Sequence, residues 1–204
     1  MKIICVGLNY PSHADEIGMR PADAEPTIFL KPDTALLRNN DPFYIPDWAN
    51  RFDYETELVF RISRLGRHID ERFAHRYYDA VGIGIDFTAR DLQDRLVREG
   101  RPWEICKAFD YSAAISPFIP LAELPPVADL HFCLTVNGEK RQETAASQMI
   151  FSIDRIIAHV SRYFSLRMGD LIFTGTPTGV GPVSEGDRLT ATLEGRTMLD
   201  FEIK

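Results

Sequence analysis

Short strand-like segments dominate this sequence, and their order along the chain constrains its fold more than any other feature. In each segment apolar residues alternate with polar ones or form a short apolar run, the patterns of half-buried and buried strands. The predicted strands cover residues 2–7, 27–31, 42–46, 53–62, 80–85, 130–137, 139–143, 170–174, 188–193 and 197–203. Asn137-Gly138 separates two of them and is typical of a β-hairpin turn.

Helical periodicity appears in few places. The three predicted helices cover residues 11–17, residues 88–99 and, after Ser152 as N-cap, residues 153–164. The inner face of the second helix is expected to consist of Ala89, Leu92, Leu96 and Val97. Regular alternation of strands and helices is missing, which disfavours a doubly wound sheet or a TIM barrel. We therefore expect an α+β fold with a mixed sheet.

Length and composition set modest limits on function. The chain has 204 residues, a formal net charge of −7 and 45% hydrophobic residues, which suits one soluble domain spanning residues 1–204. Basic residues form no extended patch, so nucleic-acid binding is not expected. No apolar run approaches the roughly 18 residues that cross a membrane. The cysteines, which are few and widely separated, are typical of reduced thiols in a cytoplasmic protein.

Two glutamates lie two residues apart in the predicted strand 53–62. On a strand Glu55 and Glu57 would leave the same face, where their charges repel unless a cation lies between them. Asp86 ends the apolar run 81–85 and could bring a third carboxylate to the same place. Three oxygen donors without Cys or His suit Mg²⁺, Mn²⁺ or Ca²⁺ better than zinc. The glutamate pair alone would equally fit a solvated strand face.

An imidazole and a carboxylate share one face of the first predicted helix. His13 and Glu16 are three residues apart, and a neighbouring carboxylate raises the basicity of an imidazole. Such a pair can act as the general base that activates water. The same spacing is common on solvated helices, so it does not decide the role by itself.

Several basic or amide side chains occur in apolar surroundings. Gln93 has mainly apolar helical neighbours and needs a partner, either backbone or a ligand, and Arg90 lies three residues before it. Lys107 is either a stem packed on the surface or a buried cation facing an anion, and Lys31 poses the same question. The Gly-rich segment 174–182 includes Thr176 and lacks the Lys and the following helix of a phosphate-binding loop.

Together these residues resemble the fumarylacetoacetate hydrolase family, in its short form that consists of the catalytic domain only. The resemblance covers nearly the whole chain in order. The matching segments are residues 7–10 with His13 and Glu16, then 29–32, 53–58, 86–93, 107–110, 136–138 with 141–142, 169–170 and 174–181.

The resemblance implies a fold, a metal and residue roles. The fold would be a mixed-sheet β-roll of the family's C-terminal domain type with a few flanking helices, usually a homodimer. The implied roles are Mg²⁺, Mn²⁺ or Ca²⁺ ligation by Glu55, Glu57 and Asp86, water activation by His13 with Glu16, and substrate binding or charge stabilisation by Arg90, Gln93, Lys107, Thr176 and Lys31. The resemblance to the short form also implies a protein without the N-terminal domain of the founding hydrolases and without one further acidic metal ligand.

The expected reaction is metal-dependent hydrolysis of a carbon–carbon bond in a 2,4-dioxo acid resembling an acylpyruvate. Water activated by His13 would attack the distal carbonyl, and Lys107 would help to neutralise the enolate that leaves. The same stabilisation would serve isomerisation of an unsaturated 2-oxo diacid or decarboxylation of oxaloacetate. A homologue that binds metal without catalysis is a further alternative, against which the intact His13, Glu16 and Lys107 count.

Overall fold

The computed structural model describes residues 1–11 and 25–204. The first predicted helix, with His13 and Glu16, lies outside the described residues. The described strands are β1 Ile3–Gly7, β2 Thr27–Lys31, β3 Leu36–Leu37, β4 Phe52–Tyr54, β5 Thr56–Ile62, β6 Tyr78–Asp86, β7 Thr88–Ala89, β8 Ala113–Ile115, β9 Ile119–Pro120, β10 His131–Val136, β11 Glu139–Ala145, β12 Leu171–Phe173, β13 Gly181–Pro182, β14 Arg188–Leu193 and β15 Arg196–Glu202. The described helices are α1 Arg90–Arg98, α2 Glu104–Lys107 and α3 Ile153–Val160, together with short 3₁₀ turns.

The strands form one large mixed sheet and two smaller antiparallel sheets. In the large sheet the order is β2-β1-β12-β5-β6-β8-β3, with β9 beside β6. The pairs β1–β12 and β3–β8 are parallel and the others are antiparallel. The smaller sheets have the orders β11-β10-β14-β15 and β13-β4-β7. The predicted α+β class with a mixed sheet is confirmed.

The central strands of the large sheet are buried on both faces. On β5, Leu58 and Phe60 face the main apolar core, whereas Val59 faces a smaller cluster that contains Phe173. Gly84 of β6 lies against that ring, because a Cβ at this position would be 2.4 Å from a Phe173 ring atom. The close packing fixes the end of β6, where Asp86 lies.

The N-terminus of α3 has the predicted cap. The Ser152 side chain accepts a hydrogen bond from the backbone N–H of Arg155 at 3.2 Å, and the apolar face from Ile153 to Val160 is buried. None of the helices in residues 1–11 and 25–204 has the length and apolar character that a membrane crossing requires.

Several predicted boundaries were wrong, and the third helix ends at Val160 instead of residue 164. The predicted strand 53–62 is two strands, because the chain leaves the small sheet at Glu55 and enters the large one. Residues 42–46 form only a bridge between Phe43 and Ile203, since the prolines at both ends lack the N–H that a ladder requires. The second helix begins at Arg90 because Thr88–Ala89 pairs with β4 instead.

Candidate active site

Three carboxylates converge where β5 and β6 run side by side. Glu57 lies on β5 opposite Gly84, and Asp86 is the last residue of β6. The backbone N–H of Asp86 donates to the carbonyl of Glu55 at 2.8 Å, which holds the junction between β4 and β5 beside the end of β6. Glu55, Glu57 and Asp86 are all buried, and each offers an oxygen within 4.8 Å of the others. Strand pairing therefore brings the predicted third carboxylate to the glutamate pair.

Buried cations neutralise two of these carboxylates. Lys107 Nζ lies 2.7 Å from Glu55 Oε2 and 2.9 Å from Asp86 Oδ2. Lys31 Nζ lies 2.7 Å from the other oxygen of Asp86, and Arg90 Nη2 lies 2.5 Å from Glu55 Oε1. Of the two alternatives for Lys107, the structure therefore shows the buried cation.

Glu57 is arranged differently from the other two carboxylates. Within residues 1–11 and 25–204 no basic side chain forms an ion pair with it, and its Oε2 accepts the backbone N–H of Gly175 at 2.6 Å. Burial raises the pKa of the Glu57 carboxyl well above its ordinary value, and the charges of Asp86 and Glu55 raise it further. A positive charge close to Glu57 would favour its ionised form.

These residues fit a divalent metal ion. The cluster supplies only carboxylate oxygens, the donors that Mg²⁺, Mn²⁺ and Ca²⁺ prefer. A cation between the three carboxylates would lie beside Glu57, which has no ion-pair partner among the described residues.

Arg90 and Gln93 lie beside the carboxylates, as their helical spacing predicted. Arg90 Nη1 donates to Gln93 Oε1 at 2.5 Å, and Arg90 Nε donates to Asp53 Oδ2 at 2.9 Å. Burial acts to lower the pKa of Arg90, but the charges of Glu55 and Asp53 raise it above its ordinary value. The guanidinium therefore stays charged.

A cavity of about 420 Å³ opens onto the three carboxylates. Its polar lining includes Arg90, Gln93, Lys107 and Thr176. Its apolar lining comes from Val6, Leu8, Phe29, Val97 and Trp103. This volume is in the usual range for a small-molecule site.

Two predicted placements differ from the structure. Val97 was expected on the inner face of its helix, but it is 41% exposed and lines the cavity. Lys31 was expected to contact substrate, but its side chain is fully buried behind Asp86 and does not line the cavity. Lys31 Nζ donates to Ser112 Oγ at 2.9 Å and to the backbone carbonyl of Lys107. These hydrogen bonds fix Lys31 in place, so that it can hold the Asp86 carboxylate.

The Thr176 hydroxyl is held by a residue to which sequence reasoning gave no role. Gln142 Nε2 donates to Thr176 Oγ1 at 2.8 Å, and Gln142 Oε1 accepts the backbone N–H of Thr56 at 3.0 Å. Thr88, whose hydroxyl lies 2.6 Å from Lys107 Nζ, and Asp53 were likewise missed. Each is a polar residue within a predicted strand or helix start, and only its burial reveals its importance.

Fold and site define the class of protein: an α+β protein whose cavity combines an oxygen-donor cluster with buried basic side chains. Residues 2–204 match the family model described as "Fumarylacetoacetate (FAA) hydrolase C-terminal". The chain belongs to this family.

Similar proteins named for their activity act on oxo acids. Oxaloacetate tautomerase FAHD1, mitochondrial, of Bos taurus is 40% identical over 99% of this chain and 91% of its own length. Oxaloacetate tautomerase YcgM of Escherichia coli (strain K12) is 39% identical over 97% of this chain and 90% of its own length. Fumarylpyruvate hydrolase from Pseudomonas aeruginosa, solved in complex with Mn²⁺ and pyruvate, is 38% identical with a TM-score of 0.94, covering 100% of this chain and 89% of that chain.

Proposed function

We propose that this protein is a divalent-metal-dependent enzyme that interconverts the keto and enol forms of a 2-oxo acid, with oxaloacetate as its substrate. The observation that carries the proposal is the convergence of Glu55, Glu57 and Asp86 on a cavity that Lys107 also lines. The 40% identity with a protein named oxaloacetate tautomerase supports this choice of substrate.

The three carboxylates would hold the metal ion. A solved relative contains Mn²⁺ together with pyruvate, a 2-oxo acid, and this supports both the metal and the substrate class. When bound, the metal would supply a Lewis acid beside the carboxylate and 2-oxo oxygens of the substrate.

The charges of the site favour a dianionic substrate. In the described part of the chain, the three carboxylates face three buried basic side chains, Lys31, Lys107 and Arg90. Arg90 forms ion pairs with both Glu55 and Asp53, and Asp53 forms a second ion pair with Arg51. With Asp53 and Arg51 included, four carboxylates and four basic side chains balance in number, and a bound divalent cation would add positive charge that a 2-oxo dicarboxylate can neutralise.

The chain's own residues would bind the substrate, stabilise its charge and transfer the proton between C3 and the enol oxygen. The predicted base His13, with Glu16, would carry this proton. The Lys107 ammonium lies at the carboxylate cluster, where negative charge on the 2-oxo oxygen would develop. Burial acts to lower the pKa of Lys107, but Asp86 and Glu55 raise it above its ordinary value, so this group keeps its proton near neutral pH. Gln93 and the Thr176 hydroxyl would contact polar substrate atoms from the cavity wall.

The proposal is tested by following conversion of enol-oxaloacetate to the keto form by ultraviolet absorbance. Metal-stripped protein should be inactive, and Mg²⁺ or Mn²⁺ should restore the rate. Decarboxylation of oxaloacetate and cleavage of acetylpyruvate and fumarylpyruvate are measured in parallel. Full tautomerase activity of the EDTA-treated protein would contradict the metal requirement, and inactivity of metal-loaded protein on all these substrates would contradict the proposal.

Acylpyruvate hydrolysis is the second candidate, because part of the cavity wall is apolar. Val97 lines it about 6 Å along the helix beyond Gln93, at a rise of 1.5 Å per residue. A longer 2,4-dioxo acid would reach the apolar wall formed by Val97 and Trp103, and the relative named fumarylpyruvate hydrolase supports this candidate.

His13→Ala separates hydrolysis from decarboxylation. Hydrolysis needs a general base to make a nucleophile from water, whereas decarboxylation needs only stabilisation of charge at the 2-oxo group. We expect the variant to lose about 10²–10⁴-fold in kcat for acylpyruvate cleavage and much less in oxaloacetate decarboxylation. Equal losses in both steady-state assays would mean that His13 shapes the site and does not activate water.

A further inference from the structure

Asp53 links the cavity to the small sheet behind it. It lies on β4 and is 1% exposed. Its Oδ2 accepts a hydrogen bond from Arg90 Nε at 2.9 Å, and its Oδ1 accepts one from Arg51 Nε at 2.7 Å. Asp53 does not line the cavity and is not one of the three clustered carboxylates.

The backbone beside Asp53 also holds the start of the helix that carries Arg90. The N–H of Arg90 donates to the carbonyl of Arg51 at 2.8 Å. The backbone N–H and the side-chain amide of Asn50 donate to Asp91 Oδ2 at 3.0 and 3.1 Å. Both the backbone and the guanidinium of Arg90 are therefore fixed by residues 50–53.

A fixed guanidinium determines the orientation of Gln93. With Nε on Asp53 and Nη2 on Glu55, Arg90 presents Nη1 to Gln93 at 2.5 Å. Arginine has only donors, so the Gln93 atom that faces it must be the amide oxygen. The Gln93 side chain can then offer its amide NH₂ group, a hydrogen-bond donor, to the cavity.

We propose that Asp53 is a positioning residue, which through Arg90 holds the Gln93 amide as a hydrogen-bond donor to an oxygen of the substrate. This inference rests on the proposed function, since it assumes that a 2-oxo acid binds in the cavity. The placement of the Gln93 amide matters because a hydrogen bond weakens steeply when its distance and angle leave the usual range.

The alternative role for Asp53 is a purely structural ion pair with Arg51, and one pair of variants separates the two. Asp53→Asn and Arg51→Gln both break the Arg51–Asp53 pair, but only Asp53→Asn removes the charge that holds Arg90. Arg51 is the matched control because its side chain is half exposed and lies outside the cavity. We expect Asp53→Asn to raise KM for oxaloacetate about tenfold with a smaller change in kcat, consistent with loss of a binding contact. Arg51→Gln should leave KM within about twofold.

A double-mutant cycle with Gln93→Leu tests the route through Gln93. If Asp53 acts through this amide, Asp53→Asn should change KM little once Gln93 is replaced. Equal increases of KM in Asp53→Asn and Arg51→Gln, or full additivity with Gln93→Leu, would overturn the inference.

Two further measurements test the inference if Asp53→Asn does not fold or if the wild-type protein is inactive. If Asp53→Asn does not fold, Asp53→Glu keeps the charge but displaces it by one methylene, and it should show the same rise in KM. If the wild-type protein turns over none of the substrates, the proposed function fails, and pyruvate binding in the presence of Mn²⁺ is then measured by calorimetry. Weaker binding in Asp53→Asn but not in Arg51→Gln would still support the inference, whereas no binding by the wild type would overturn it as well.

Discussion

Glu57→Gln is expected to give a folded protein that has lost its affinity for Mg²⁺ and Mn²⁺ and at least about 10³-fold in kcat/KM, because a Lewis acid is worth several kcal/mol. Glutamine can still accept the backbone N–H of Gly175, so the fold is preserved. Unlike Glu55 and Asp86, Glu57 has no basic side-chain partner in the described part of the chain. Metal affinity measured by calorimetry, together with kcat/KM, checks the result.

The same variant should change how stability depends on pH. The folded-state pKa of Glu57 is raised above 4.5, so its contribution to stability is complete below pH 4.5 and is lost as the pH rises through the folded-state value. As the pH rises above 4.5, the stability of the metal-free wild-type protein relative to that of Glu57→Gln should therefore fall. Thermal unfolding with and without Mg²⁺ measures both effects.

Asp170→Asn is the control for Glu57→Gln. Asp170 is also a buried carboxylate, but it accepts the backbone N–H groups of Lys2 and Arg167 and does not line the cavity. This variant should lower Tm and leave metal affinity unchanged. Retention of wild-type metal affinity by Glu57→Gln would contradict the proposed metal site.

Lys107→Met is expected to reduce kcat about 10²–10³-fold, the usual effect of removing one group that stabilises charge in the transition state. It should also destabilise the metal-free protein by about 3–5 kcal/mol, because breaking a buried ion pair leaves Glu55 and Asp86 short of a cation. Bound metal should recover part of this stability. Steady-state kinetics and chemical denaturation measure the two effects separately.

Lys31→Met is the matched comparison for Lys107→Met. Lys31 also forms an ion pair with Asp86, but its side chain does not line the cavity. We expect a loss of stability with a much smaller loss of kcat per folded molecule. If both variants lose kcat to the same extent, Lys107 acts by holding Asp86 in place rather than on the substrate.

Local spacing predicted those parts of the site that lie close together in sequence. The two-residue spacing of Glu55 and Glu57 directed both carboxylates to one place, although the strand is interrupted at Glu55. The three-residue spacing of Arg90 and Gln93 placed both on one helical face, where they form a hydrogen bond. The roles of His13 and Glu16 stay predictions, as does a homodimer.

Only the tertiary structure decided which distant residues complete the site. Asp86 reaches the glutamates because β5 and β6 pair in one register, and a shift by one residue would turn its side chain to the other face. The sequence left open whether Lys107 is exposed or buried, and long-range packing placed its ammonium between two carboxylates. Asp53 and Gln142 attracted no functional interpretation, because a polar residue is unremarkable until burial forces it to find a partner. The sequence by itself determined the types of donor and their local faces, whereas partners far apart in sequence depend on strand register and burial, which no local pattern contains.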